Sequence, residues 1–155
     1  MSPASVLLAS ALAVAPALAT AAEQGRSWMA VGSPERFVMS YATPQTDDGV
    51  LSLSCTRATK EIGIAFVHEP AGAKDGMRIS IDLISEGGNV LLQAEGHRLL
   101  LDDVFVLEAR TPLTPALQRV LAQGLTLTLM VQDGSAEVPL EGAGKAMAAL
   151  IEACT

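Results

Sequence analysis

Aromatic side chains are scarce in this chain. Three Phe, one Trp and one Tyr make up 3% of its 155 residues, which leaves few rings on which bases could stack. Cationic charge is also short. Ten Lys and Arg stand against seventeen Asp and Glu, for a formal charge of -7. Nucleic-acid binders need clustered Lys and Arg to neutralise phosphates, so no nucleic-acid partner is expected.

Histidine occurs twice, as His68 and His97, in no HxxxH or HxH spacing. Zinc ligation needs such spacing, and no metal or other cofactor is expected. The acidic pairs Asp47-Asp48 and Asp102-Asp103 lack the alternating oxygen ligands and distal Glu of a calcium loop, and read as solvated turns. There is no GxSxG elbow for a hydrolase nucleophile and no CxxC to tune a thiolate. Gly142-Ala143-Gly144-Lys145 brushes against the phosphate-loop pattern. It fails at Pro139, where the first Gly belongs, and at Ala146, where Ser or Thr belongs. No catalytic constellation emerges.

What the chain does have is apolar substance. Half of its residues are hydrophobic and only 17% are charged, too apolar for a disordered chain and enough for one filled core. One apolar run is concentrated at the start. Ser5–Ala19 is rich in Ala and Leu, and the first charged side chain is Glu23. Pro16 breaks the run ahead of two small-x-small sites, Ala17-Leu18-Ala19 and Ala19-Thr20-Ala21. This predicts a secretory signal over residues 1–21, cleaved near 19–21, and a single β-rich domain over 22–155. The alternative is an uncleaved anchor. The run is shorter than the roughly 20 residues a span requires and is interrupted by Pro, so no membrane span is expected after cleavage. The protein is expected to be periplasmic or secreted.

Export changes how the two cysteines, Cys55 and Cys154, are read. An even count in an oxidising compartment favours a disulfide. In Val50–Arg57, Leu51, Leu53 and Cys55 alternate onto one strand face. In the last segment, Met147, Leu150, Ile151 and Cys154 recur at helical spacing. Both sulfurs therefore point to a shared core.

The remaining pattern is strand after strand. Trp28–Val31, Phe37–Ala42, Val50–Arg57, Glu61–His68, Met77–Ile84, Val90–Glu95 and Val104–Ala109 are predicted strands. Gly96 is expected to interrupt the chain before a further short strand over His97–Leu101. Thr114 as N-cap and Pro115 at N1 open a short helix over Pro115–Gln123, stopped by Gly124. Leu125–Gln132 and Ala136–Leu140 flank an Asp133-Gly134 hairpin signal, and a terminal helix is expected over Gly142–Ala153. The fold class is mainly β: an antiparallel β-sandwich or open barrel with one short helix and a C-terminal helix.

The ending is distinctive: a strand, then Val138-Pro139-Leu140-Glu141-Gly142, then a helix carrying Ala146, Ala149, Leu150 and Cys154. With Trp28 early and Cys55 closing an early strand, the chain resembles small exported bacterial proteins of the invasion-associated locus B family. The resemblance implies a β-sandwich in the periplasm or at the surface, with no defined catalytic site. This chain has one early cysteine where the family pattern has several.

Two classes of function follow. The first is a non-enzymatic binding or accessory protein of the cell envelope, whose partner is a periplasmic or envelope protein. The second is a periplasmic enzyme with scattered site residues, for which Glu95, His97 and Asp102 are the candidates because they surround a glycine-interrupted strand. A variant of these readings is an inhibitor of a wall-degrading enzyme, in which an acidic surface caps a cationic one.

Overall fold

The computed structural model describes residues 25–155; the expected signal over residues 1–21 lies outside them. Among the described residues nine strands form one antiparallel sheet. They are β1 (Ser27–Gly32), β2 (Arg36–Ala42), β3 (Gly49–Thr56), β4 (Glu61–Val67), β5 (Met77–Ser85), β6 (Gly88–Leu99), β7 (Val104–Pro112), β8 (Thr126–Val131) and β9 (Gly134–Pro139). Helix α1 (Pro115–Ala122) precedes β8, and α2 (Gly144–Ala153) ends the fold. The spatial order is β1-β2-β3-β4-β7-β6-β5-β8-β9.

The sheet curls into a half-barrel around the two helices. Helix α2 packs on β1, β2 and β3, and α1 packs on β5 and β6, yet the helices also touch each other. Elements lying along distant parts of one sheet meet only if the sheet bends toward them. Between β-sandwich and open barrel, the two forms expected from sequence, the curled single sheet corresponds to the barrel. The concave face carries the alternating apolar residues: Leu51, Leu53 and Cys55 of β3, Ile62, Ile64 and Phe66 of β4, and Leu127 and Leu129 of β8 are all buried. From the helices, Leu117, Val120 and Leu121 join them, with Met147 and Leu150. Each such side chain contributes roughly 1.5–3 kcal/mol through burial.

The disulfide joins Cys55 to Cys154, with Cα atoms 5.7 Å apart. It ties the third strand to the last residue before the terminus, across a sequence separation of 99.

Local signals are realised with some shifts. Thr114 caps α1, its hydroxyl oxygen accepting from the Leu117 N–H at 3.2 Å. Gly124, at φ +109°, turns the chain out of the helix. Helix α2 starts at Gly144, two residues later than expected from sequence. Gly142 serves the turn before it through a φ of +79°. A Cβ there would have nothing within 4 Å, so the glycine answers to the backbone turn and not to a neighbour.

Three strand expectations are corrected. Gly96 does not interrupt anything: β6 runs unbroken from Gly88 to Leu99, and Gly96 pairs with Leu107. The glycine is there for close approach, because a Cβ on it would lie 2.5 Å from Phe105 Cε1. The extension to Leu101 also fails, as Leu100 and Leu101 form the turn to β7. Leu125 lies before β8 and is 76% exposed, so the apolar face of that strand is Leu127, Leu129 and Val131.

Candidate functional site

The β6–β7 hairpin carries two features that the core does not use, one at its base and one at its tip. The ladder between these strands runs from Leu99↔Val104 to Glu95↔Glu108 and stops there. Both strands continue: β6 reaches back to Gly88 along β5, and β7 reaches on to Pro112 along β4. The sheet therefore splits. At the split, on the outer face, a cleft of about 450 Å³ is lined by Arg78, Gln93, Glu95, His97, Glu108 and Arg110. That volume is within the range of small-ligand sites.

Strand parity places the cleft side chains. Residues two apart share a face, so Gln93, Glu95 and His97 of β6 point outward with Glu108 and Arg110 of β7, while Leu92, Ala94 and Gly96 point to the core. His97 Nε2 lies 3.8 Å from Glu108 Oε1. The Gln93 amide donates to the Ser80 hydroxyl at 2.8 Å. The two guanidiniums are uncommitted. Among the described residues neither Arg78 nor Arg110 has a hydrogen-bond or ion-pair partner. Elsewhere arginines brace the fold: Arg26 pairs with Asp48 at 2.8 Å, Arg36 donates to Ser54 at 2.7 Å and Arg57 to the Ser33 carbonyl at 3.2 Å.

The tip is the turn Leu100-Leu101-Asp102-Asp103. Leu100 is 93% exposed and Leu101 98%. At the base of this turn Arg98 gathers several polar partners. The Arg98 guanidinium donates to both carboxylate oxygens of Glu69 and to the carbonyl and carboxylate of Asp103. It also lies 5.5 Å over the Phe105 ring, a cation–π distance. Glu69, and then Asp103, raise its already high pKa. The Arg98 N–H donates to Asp75 at 2.7 Å, which fixes the loop between β4 and β5 against the hairpin. The tip thus offers two apolar side chains beside the carboxylates of Asp102 and Asp103.

The three candidates from sequence divide between these places. Glu95 and His97 line the cleft together. Asp102 does not join them; it lies in the turn beyond the end of the strand. Sequence reading missed Arg78, Glu108 and Arg110. Alternation in Val104–Pro112 puts Glu108 and Arg110 on one face, but only the cross-strand register brings that face to His97.

His68 is part of no cluster of this kind. Its Nε2 is 3.0 Å from Asp133 Oδ1, and its ring stacks on Phe66 at 5.5 Å. Among the described residues no three His, Cys, Asp or Glu side chains converge closely enough to hold a metal ion. No helix among them is long and apolar enough to cross a membrane.

No protein-family model, curated protein or solved structure matches the chain.

Proposed function

We propose that this chain is an exported, non-enzymatic binding or accessory protein of the cell envelope, working in the periplasm and docking a protein partner through the β6–β7 tip. The observation that carries the reading is the pair Leu100 and Leu101, almost fully exposed on a turn whose Asp103 is bonded by Arg98, itself paired with Glu69. Bonds at the base of the turn lower the entropic cost of ordering it on binding. Carboxylates beside them favour a partner whose apolar pocket has a basic rim. The disulfide supports an oxidising compartment, and the apolar run before Glu23 supports export. The resemblance of the ending to invasion-associated locus B proteins points the same way.

The test is a photo-crosslinking amino acid placed at position 100 of the exported full-length chain, with position 60 as control. A discrete adduct from position 100 in native envelopes, weakened by Leu101→Glu, is the expected result. Equal adducts from both positions, or none, would remove the reading.

A further inference from the structure

The outer face of β5, β6 and β7 holds a row of two Arg and two Glu side chains, Arg78, Glu95, Glu108 and Arg110, with no ion pair between them at contact distance. Arg78, Glu95 and Glu108 are successive cross-strand partners. Glu95 and Glu108 are thus like charges at directly opposed positions, an arrangement that costs stability. Cations stand on either side. Arg78 is opposite Glu95, and Arg110 is two residues along β7 from Glu108, yet neither guanidinium forms an ion pair with a described residue. Among the described residues His97, at 3.8 Å, is the one basic group within ion-pair distance of Glu108.

The charges define what would fit. A metal ion is a poor match, because no three ligating side chains converge there. A simple anion would meet the two glutamates, and a simple cation the two arginines. A molecule with both charges, separated by a short spacer, satisfies all four. Opposed side chains on neighbouring strands are about 5 Å apart, and residues two apart on a strand are about 7 Å apart. Two or three residues of extended peptide cover such distances, at about 3.3–3.6 Å per residue.

We propose that the cleft binds a small zwitterion of the amino-acid class, such as a short peptide with free ends. Its ammonium lies between Glu95 and Glu108, and its carboxylate takes a forked pair of hydrogen bonds from Arg110. Arg78 offsets the charge of Glu95 and is free to hold a second carboxylate or a carbonyl. Gly63, opposite Arg110 on β4, has no side chain of its own, and the Ser54 hydroxyl with its Arg36 donor lies over it. This site is separate from the leucine tip and does not depend on it.

The experiment uses the disulfide-bonded full chain and three probes: trialanine, N-acetyl-trialanine and trialanine amide. Binding is read from backbone amide shifts in NMR. Trialanine is expected to give saturable shifts at Glu95, His97, Glu108 and Arg110, and blocking either end is expected to weaken binding about tenfold or more. Glu95→Gln with Glu108→Gln should erase the penalty for acetylation, Glu95→Gln alone should reduce it, and Arg110→Gln should erase the penalty for amidation. Glu95 and Arg110 are exposed and Glu108 is half-buried, all on the outer face, and circular dichroism is used to check that each variant is folded. Equal binding of all three probes would overturn the proposal, as would no saturable shift by about 10 mM trialanine. Inorganic phosphate shifting the same residues as strongly as trialanine would overturn it too, by showing a bare anion site.

Discussion

The indole N–H of Trp28 donates to the carbonyl oxygen of Pro139 at 2.7 Å, across 111 residues of sequence. Trp28 is on β1 and Pro139 on β9, the two edges of the sheet. One side chain therefore spans the seam where the barrel would close. Trp28→Phe keeps most of the ring's contact with Tyr41, whose centroid is 5.5 Å away, but removes the donor. The expected cost is about 1 kcal/mol, typical of one net hydrogen bond at a half-buried position. It is read as a lower urea midpoint with an unchanged m-value, by far-UV circular dichroism, since the only Trp is lost. An unchanged midpoint would mean that the seam is held without this bond.

The disulfide acts over a longer range. It closes a loop of 99 residues, for which the chain-entropy model gives about 4–5 kcal/mol. Cys55→Ser with Cys154→Ser, or reduction, should lower unfolding stability by about 3–5 kcal/mol. The amides of α2 should lose hydrogen-exchange protection first, because the bridge fastens that helix to β3. A loss under about 1 kcal/mol would place the helix's hold in packing alone.

Gly96 gives a sharper packing test. A Cβ there would be 2.5 Å from Phe105 Cε1 and 2.7 Å from Cζ, and Phe105 is 2% exposed. Gly96→Ala should cost about 1–3 kcal/mol by overpacking. Phe105→Leu frees that space, so the double mutant should lose less than the two single changes added together. Additive losses would show that the ring moves aside freely.

Most of the strands, the helix cap at Thr114 and the disulfide were legible because each rests on a local pattern or on a count. Alternation names a strand face, and Cys55 and Cys154 were the only pair to join. The misreading at Gly96 has a physical cause. Glycine breaks a strand pattern when read locally, but here it answers to a ring on the neighbouring strand. The cleft was half legible for a related reason. Glu95 and His97 share a face by parity, whereas Glu108 and Arg110 reach them only through the β6–β7 register. That register follows from a long-range order in which β7 sits between β4 and β6. Glu95, His97 and Asp102 were grouped around an expected break at Gly96, but the strand runs on to Leu99 and carries Asp102 into the turn beyond it.

His68 and Asp133 predict how the fold responds to acid. The Asp133 carboxylate takes a bond from His68 at 3.0 Å and one from the Ala71 N–H at 2.6 Å. It thereby joins the end of β4 to the β8–β9 turn. The His68 bond, and then the Ala71 bond, hold its pKa below the usual carboxylate value. Asp48 is lowered in the same way, by Arg26 and then Thr43. A carboxyl with a lower pKa folded than unfolded stabilises the fold above its unfolded value, near 3.9. That stabilisation is withdrawn as pH falls through the folded value. Stability should therefore drop from about pH 4 downward. Asp133→Asn should be less stable at neutral pH and lose less on acidification, and adding Asp48→Asn should flatten the acid limb further. Urea midpoints from pH 7 to 2 decide it: parallel curves for wild type and Asp133→Asn would show that other carboxylates govern the acid limb.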